Sequence, residues 1–93
     1  MKFAWTRQAI TDLVEARQYI AKDNAVAAMQ VAGQLVAAAK ALVQNPEIGR
    51  IGRIEGTREL VVLKTKYLLI YRVDDKHVKI LHVCHARRDW PPD

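Results

Sequence analysis

The sequence GTRELVVLKTKYLLIYRVDDKHVKILHVCHARRDWP, residues 56–91, decides the fold of this chain. It contains three apolar runs, at 57–63, 67–73 and 77–85, which are separated by two short polar segments. Runs of this length that are rich in Val, Ile, Leu and Tyr are typical of strands. Because connections this short join antiparallel neighbours, the three runs predict an antiparallel meander. The second and third runs are apolar on both faces, which indicates strands inside the sheet.

The chain before this stretch predicts one strand and two helices. The apolar segment at about 2–5 suits a strand, and Thr6 offers an N-cap oxygen for a helix over about 7–21. A polar break then precedes a second helix over about 25–44. The element order β-α-α-β-β-β predicts a single α+β domain covering residues 1–93. In it, a helical hairpin packs on one face of a mostly antiparallel four-stranded sheet.

The second helix has an unusual composition for a surface helix. A stripe of apolar residues predicts its core face. The stripe consists of Met29, Ala32, Val36, Ala39 and Val43, and Ala28, Leu35 and Leu42 widen it. The opposite face holds Gln and Ala and carries little charge. Helix propensity explains the alanines; a surface that waits for a partner segment is the second hypothesis.

Composition limits the classes of partner and compartment. The formal charge is +5 and the pI is about 9.7, which favours an acidic partner: nucleic acid, an acidic protein or a membrane surface. A single cysteine, Cys84, excludes a disulfide framework and fits a reducing compartment. No apolar run approaches the roughly 20 residues of a membrane span. We therefore expect a cytoplasmic protein with no membrane partner.

The loop at 47–56 combines glycines with Arg50 and Arg53. It lacks the Gly-Lys-Ser/Thr ending of a phosphate-binding P-loop, and no helix pattern follows it. Its glycines let the chain turn. The two arginines are either solvated or project into a site beside the sheet.

Several chemistries are excluded or disfavoured by the residues. The chain has no serine, and it has neither a Cys-x-x-Cys nor a His-Glu-x-x-His motif. Cys84 and His85 are neighbours in a strand and face opposite ways, so His85 is badly placed to activate a thiol. We expect no metal and no cofactor.

Arg58 and Arg72 each interrupt an apolar strand and therefore need a partner. The structural hypothesis is an ion pair with a nearby carboxylate such as Glu59. The functional hypothesis is phosphate binding. RNA cleavage would also require an acid and a base, and in this region only His82 and His85 titrate near neutral pH.

Three segments in order carry a family resemblance. GTRELVV at 56–62, YRV at 71–73 and HARRDWP at 85–91 resemble motifs of the RelE/ParE superfamily, the toxins of type II toxin–antitoxin modules. The chain's element order, size and net positive charge also resemble those of the superfamily. The resemblance implies a cognate antitoxin that wraps the toxin with an acidic, apolar segment folding on binding. The under-charged helix face and an exposed sheet edge are candidate contact surfaces.

The resemblance implies two alternative activities. The ParE-like branch implies a DNA gyrase inhibitor without catalysis of its own, and the ending HARRDWP is closest to this branch. The RelE-like branch implies an mRNA endoribonuclease that acts on the ribosome. Here the loop carries arginines in place of the lysine pair of that branch, and no tyrosine follows Tyr71. We therefore expect gyrase inhibition by binding, with the endoribonuclease as the alternative. A basic nucleic-acid-binding module without toxicity ranks last, because neither helix has a basic face.

The predicted target-binding surface is basic and aromatic, and it lies at the C-terminal end of the sheet. Its residues are Arg58, Arg72, His85, Arg87, Arg88 and Trp90. In the endoribonuclease alternative, Arg58, Arg72, His85 and Arg87 would be the catalytic set. The partners would then be the ribosome and mRNA instead of gyrase.

Overall fold

The computed structural model describes residues 2–86. Its elements are β1 (Lys2–Trp5), α1 (Arg7–Ala21), α2 (Ala25–Ala41), β2 (Arg50–Ile51), β3 (Arg58–Val61), β4 (Tyr67–Val73) and β5 (His77–His85). The strand order is β1-β5-β4-β3-β2. β1 runs parallel to β5 and every other pair is antiparallel. The predicted α+β architecture, a helical hairpin on a mostly antiparallel sheet, is confirmed.

The strand count differs from the prediction: the sheet has five strands and not four. The additional strand, β2, forms inside the glycine-rich loop, where Arg50 pairs with Glu59 and Ile51 pairs with Arg58. The Gly52 N–H also donates to the Thr57 carbonyl at 2.7 Å, which closes this short hairpin. A two-residue strand is too short to leave a periodic pattern, so β2 was not predictable from the sequence.

Two element ends also differ from the prediction. The second helix ends at Ala41 instead of residue 44, because the Leu42, Val43 and Gln44 N–H groups donate to carbonyls three residues back. The strand predicted over 57–63 is shorter and spans Arg58–Val61.

The core lies between the helices and one face of the sheet. Leu35 and Ala39 of α2 and Leu42, the residue after it, are fully buried, as are Tyr71 of β4 and Ile80 of β5. Ala9 and Ala16 of α1 are also buried, and such small side chains let a helix approach the sheet closely. The predicted core face of the second helix is buried at Ala28, Leu35, Ala39 and Leu42, but Met29 is 64% exposed.

The two faces of the sheet are distinct. Tyr67, Leu69 and Tyr71 of β4 belong to the core under the helices, on what we call the helix face. Leu68 and Ile70 alternate with them and form a second buried cluster with Cys84 on the opposite face, which we call the far face. No helix among residues 2–86 is long and apolar enough to cross a bilayer.

Candidate functional site

Glu59 is a buried carboxylate between two arginines of the loop. Its side chain is fully buried, and its Oε1 atom lies 2.9 Å from Arg50 Nη2 and 3.2 Å from Arg53 Nη2. The Arg53 backbone N–H donates to the other carboxylate oxygen at 2.9 Å. A buried charge is tolerated only when it is paired and hydrogen-bonded, and Glu59 is both. Arg50 and Arg53 are therefore ion-paired on the sheet, and their side chains stay 58% and 45% exposed.

Tyr71 anchors the same loop from the helix face. Its hydroxyl donates to the Pro46 carbonyl at 2.8 Å and accepts from the Gly49 N–H at 2.9 Å. A Cβ atom on Gly49 would lie 2.6 Å from this hydroxyl, so glycine is required there by close approach. Burial raises the pKa of the Tyr71 hydroxyl above its ordinary value, against the lowering effect of the Gly49 hydrogen bond.

Arg58 has a partner, but it is not the predicted carboxylate. Its Nη1 atom donates to the Gly49 carbonyl at 2.9 Å and to the Glu47 carbonyl at 3.4 Å. Arg58 lies opposite Tyr71 in the β3–β4 ladder and is half-buried. The hypothesis of an ion pair at Arg58 is therefore wrong in its partner, since backbone carbonyls of the loop hold the guanidinium.

Arg72 lies on the other face of the sheet. It follows Tyr71 in β4, and its Nε donates to the Gly56 carbonyl at 3.1 Å. Gly56 adopts a positive φ of 81°, which turns the chain between β2 and β3. Arg72 is exposed and pairs in register with Lys79 of β5, which is also exposed. The two residues place adjacent positive charges on the far face.

His85 ends β5 and packs against Tyr67. The two rings meet edge to face, with centroids 5.5 Å apart. His85 also borders a cleft of about 610 Å³ between the α1–α2 turn and the β3–β4 turn. The cleft has an apolar floor that includes Ile20 and Val31, and Lys64 and Lys66 lie on its rim.

The structure does not bring Arg58, Arg72 and His85 onto one surface. Arg58 pairs in register with Tyr71, and His85 pairs with Tyr67. The two tyrosines are four residues, or about 13 Å, apart along β4. Arg72 points to the opposite face from both. The remaining predicted residues, Arg87, Arg88 and Trp90, lie outside the described residues.

His82 makes a contact that the sequence did not indicate. Its Nδ1 atom lies 3.3 Å from the Asp12 carboxylate of α1, and the same carboxylate oxygen accepts the Val83 N–H at 3.1 Å. The contact occurs where Leu81 forms a bulge in the β4–β5 ladder. Within residues 2–86, no three His, Cys, Asp or Glu side chains are grouped so that they could hold a metal ion.

Comparison with known proteins identifies the family. The family model described as "ParE toxin of type II toxin-antitoxin system, parDE" matches residues 3–90. The chain belongs to this family. It is thus the toxin of a type II toxin–antitoxin system, as the resemblance implied.

The relatives and solved structures that match the chain carry both RelE and ParE names. "Putative toxin Y4kP" of Sinorhizobium fredii is 41% identical over 97% of this chain and 93% of its own length. "Toxin RelE2" of Caulobacter vibrioides is 39% identical over 90% of this chain and 93% of its own. The ParE-family chain superposes on the chromosomal ParDE system of P. aeruginosa with a TM-score of 0.81 at 27% identity, covering 91% of this chain and 95% of that one. It superposes on the RelBE2 toxin–antitoxin complex of Mycobacterium tuberculosis with a TM-score of 0.66 at 27% identity, covering 90% and 95%.

Proposed function

We propose that this ParE-family toxin inhibits DNA gyrase by stoichiometric binding and that a cognate antitoxin neutralises it. The family match over nearly the whole chain supports the ParE-like branch. The higher of the two TM-scores, to a ParDE system, agrees with it. Both structural relatives come from toxin–antitoxin systems, which supports an antitoxin as the first partner.

The observation that carries the proposal is the state of the charged side chains on the sheet. A nuclease that uses the 2′-hydroxyl needs a base and an acid that reach one phosphate. On the far face, Glu59 is neutralised by Arg50 and Arg53, and arginine stays protonated and cannot act as a base. Arg58 and Arg72 donate to loop carbonyls on opposite faces. These groups do not direct a base and an acid at one place, which favours inhibition by binding over catalysis.

The endoribonuclease is the second candidate because relatives with RelE names match the chain over most of its length. In that case Arg58, Arg72, His85 and Arg87 would act on the mRNA in the ribosome. Arg58 and His85 would have to act from the strands on either side of β4, at positions about 13 Å apart along it. The candidate therefore requires a rearrangement of the sheet residues on the ribosome.

Pulse-labelling of DNA and protein synthesis in one culture separates the two candidates. The toxin is induced without its antitoxin, and both rates are followed from the first minutes. We expect DNA synthesis to stop first. The purified toxin should then block supercoiling by gyrase at a toxin-to-gyrase ratio near one. Translation that stops first, with cleaved mRNA, would replace gyrase with the ribosome as the target.

The target surface is tested by replacing Arg87 and Arg88 with Ala. We expect the double variant to lose toxicity while it keeps its fold and its antitoxin binding, because the two cations lie in the predicted target-binding set. The matched control replaces Arg7 and Arg17, two exposed arginines of α1, with Ala, and this variant should stay toxic. Full toxicity of the Arg87/Arg88 variant would show that these two arginines are not part of the target-binding surface.

A further inference from the structure

The far face of the sheet carries a buried apolar cluster to which no described helix contributes. Leu68 and Ile70 of β4 are 1% and 0% exposed, and Cys84 of β5 is 5% exposed. Within residues 2–86, only β4, β5 and Ala86 supply apolar side chains to this cluster. The buried helix residues that pack on the sheet belong to the other cluster, on the helix face.

The neighbouring strands do not account for the burial of this cluster. Side chains stand roughly perpendicular to a sheet, so their neighbours shield the flanks and leave the outer ends open. Leu68 pairs in register with Val61 on one side and with Cys84 on the other. Val61 is itself 47% exposed, so water reaches the sheet beside Leu68. A further group therefore covers the outer ends of Leu68 and Cys84.

The glycine-rich loop contacts a different part of the far face. Arg53 reaches Glu59, which is the neighbour of Ile70 in the β3–β4 ladder. Leu68 and Cys84 lie two residues beyond that level, towards the β3–β4 turn. The ion pair of the loop therefore does not explain the burial of this pair.

The described part of the chain ends beside the cluster. Ala86 packs against it, and the Ala86 N–H donates to the Lys66 carbonyl at 2.9 Å. Cys84 lies two residues before Ala86, or about 7 Å along the strand direction. Trp90 lies four residues after Ala86, a span of at most about 14 Å. A chain that reverses its direction after Ala86 is therefore long enough to bring Trp90 over Cys84.

The sequence RRDWPPD at 87–93 suits an extended cover. Trp90 is its one aromatic residue, and an indole ring can bury up to about 250 Å². The residue before a proline is disfavoured in a helix, which applies to Trp90, and Pro91 and Pro92 favour an extended backbone.

We propose that residues 87–93, which lie outside the described residues, fold back over the far face, with the Trp90 indole covering Leu68 and Cys84. The ring closes the outer ends of these side chains, which the neighbouring strands leave open. A partner that binds the far face then meets this segment first. The proposal goes beyond the proposed function and holds for either target.

Charge gives the segment its direction. Arg72 and Lys79 pair in register at the other end of the far face, and both are exposed. A backbone extended by prolines advances about 3 Å per residue, so Asp93 would lie about 9 Å beyond Trp90 towards these cations. A carboxylate there meets two positive charges favourably. A second toxin chain as the cover would bring like charges to this face, which disfavours association.

Nuclear Overhauser contacts in the free, isotopically labelled toxin test where Trp90 lies. We expect contacts between the indole protons and the methyl groups of Leu68 and Ile70. Contacts to other methyl groups instead, such as those of Ile20 and Val31 in the cleft, would overturn the proposal. An indole without contacts to any methyl group would overturn it as well.

The reactivity of the Cys84 thiol measures the cover itself. Cys84 is the only cysteine of the sequence, so alkylation of the native chain by iodoacetamide reports on this position. Trp90→Ala should raise the alkylation rate at least about tenfold, and Trp90→Phe, which keeps an aromatic ring, less than about threefold. Tyr19→Ala removes an exposed aromatic side chain from α1 and is the control, with a rate within about twofold of the parent chain. An unchanged rate in Trp90→Ala would contradict the proposal.

A core variant separates loss of the cover from global unfolding. Ile80→Val loosens the cluster on the helix face and leaves the far face intact. Its alkylation rate, measured equally far below its melting temperature, gives the increase that lower stability alone produces. Trp90→Ala should exceed this increase, and an equal increase would overturn the proposal. Both measurements use the free toxin, so failure of the gyrase proposal and failure of this proposal are distinguishable.

Discussion

At the residue scale, Glu59 is a side chain whose environment departs sharply from what its type prefers. It is a carboxylate with 1% exposure, stabilised by Arg50 and Arg53. Glu59→Gln keeps the shape and an acceptor for the Arg53 N–H, and both guanidinium groups remain partly in water. We expect it to lower the free energy of unfolding by about 1–2 kcal/mol.

Removing the two arginines should lower the free energy of unfolding more than removing the carboxylate charge that they neutralise. Arg50→Ala with Arg53→Ala leaves a buried carboxylate without a cation, for which the expected loss is up to about 3–5 kcal/mol. Urea unfolding of the two variants at neutral pH measures the difference. Equal losses would mean that water reaches Glu59 once the arginines are gone.

Tyr71 provides a second prediction at this scale, on stability against pH. Tyr71→Phe loses two hydrogen bonds and leaves the Gly49 N–H without its acceptor, at an expected cost of about 1–3 kcal/mol. Burial raises the pKa of Tyr71, so the folded chain holds this proton more tightly than the unfolded chain. The stabilising contribution is fully present below the unfolded pKa of about 10 and is lost as the pH rises through the folded pKa.

Urea midpoints of the parent chain and Tyr71→Phe should therefore converge as the pH rises above about 10. Tyr19→Phe is the control, since Tyr19 is 53% exposed, and should change stability by less than about 0.5 kcal/mol. A difference in urea midpoint between the parent chain and Tyr71→Phe that stays constant as the pH rises would contradict this prediction.

At the scale of elements, two glycines predict opposite outcomes for the same substitution. Gly33 is exposed in α2, and a Cβ there would meet nothing within 4 Å, so Gly33→Ala should stabilise the protein by about 0.5–1 kcal/mol. A Cβ on Gly49 would lie 2.6 Å from the Tyr71 hydroxyl and 2.9 Å from the Glu59 carbonyl, so Gly49→Ala should destabilise it by about 1–3 kcal/mol. Thermal unfolding compares both variants with the parent chain. Equal shifts in melting temperature would contradict the described loop geometry.

The elements also show which patterns in the sequence were informative. The long strands and α1 were predictable because apolar runs and an N-cap threonine mark them, and the Thr6 side chain does accept the Ala9 N–H. In α2 the periodic stripe was ambiguous because alanine suits both a core and a surface. Leu35 and Leu42, which widen the predicted stripe, set the core side, while Met29 is exposed. β2 could not be predicted, since it depends on a loop that Tyr71 and Glu59 hold from other elements.

The candidate site was less predictable than the fold for a related reason. Sequence reasoning recognised that Arg58 and Arg72 need partners, but the partners are loop carbonyls whose positions follow only from tertiary contacts. The alternation of side chains in β4 was readable, yet the pairing of Arg58 with Tyr71 was not. That pairing places Arg58 and Arg72 on opposite faces. The Glu59–Arg50–Arg53 cluster could have been suspected from a charged residue inside an apolar strand beside an arginine-rich loop.

At the scale of the whole molecule, net charge should control how fast the toxin meets its antitoxin. The chain carries a formal charge of +5, and exposed cations lie on the far face at Arg72 and Lys79 and on the rim of the cleft at Lys64 and Lys66. Steering by charge raises association rates and is screened by salt, while short-range contacts formed after docking set the dissociation rate. Raising the salt from about 50 to 500 mM should therefore slow association by about tenfold or more and leave dissociation nearly unchanged.

Stopped-flow mixing of toxin and antitoxin measures both rates, and charge variants divide the effect between the two surfaces. Lys64→Gln with Lys66→Gln should reduce the salt dependence if the antitoxin docks at the cleft beside His85, because these cations lie on its rim. Arg72→Gln with Lys79→Gln on the far face is the matched pair of equal charge change and should reduce it less. A larger effect from the far-face pair would mean that the antitoxin approaches the face where Arg72 and Lys79 lie, and that the same surface is covered when the toxin is neutralised.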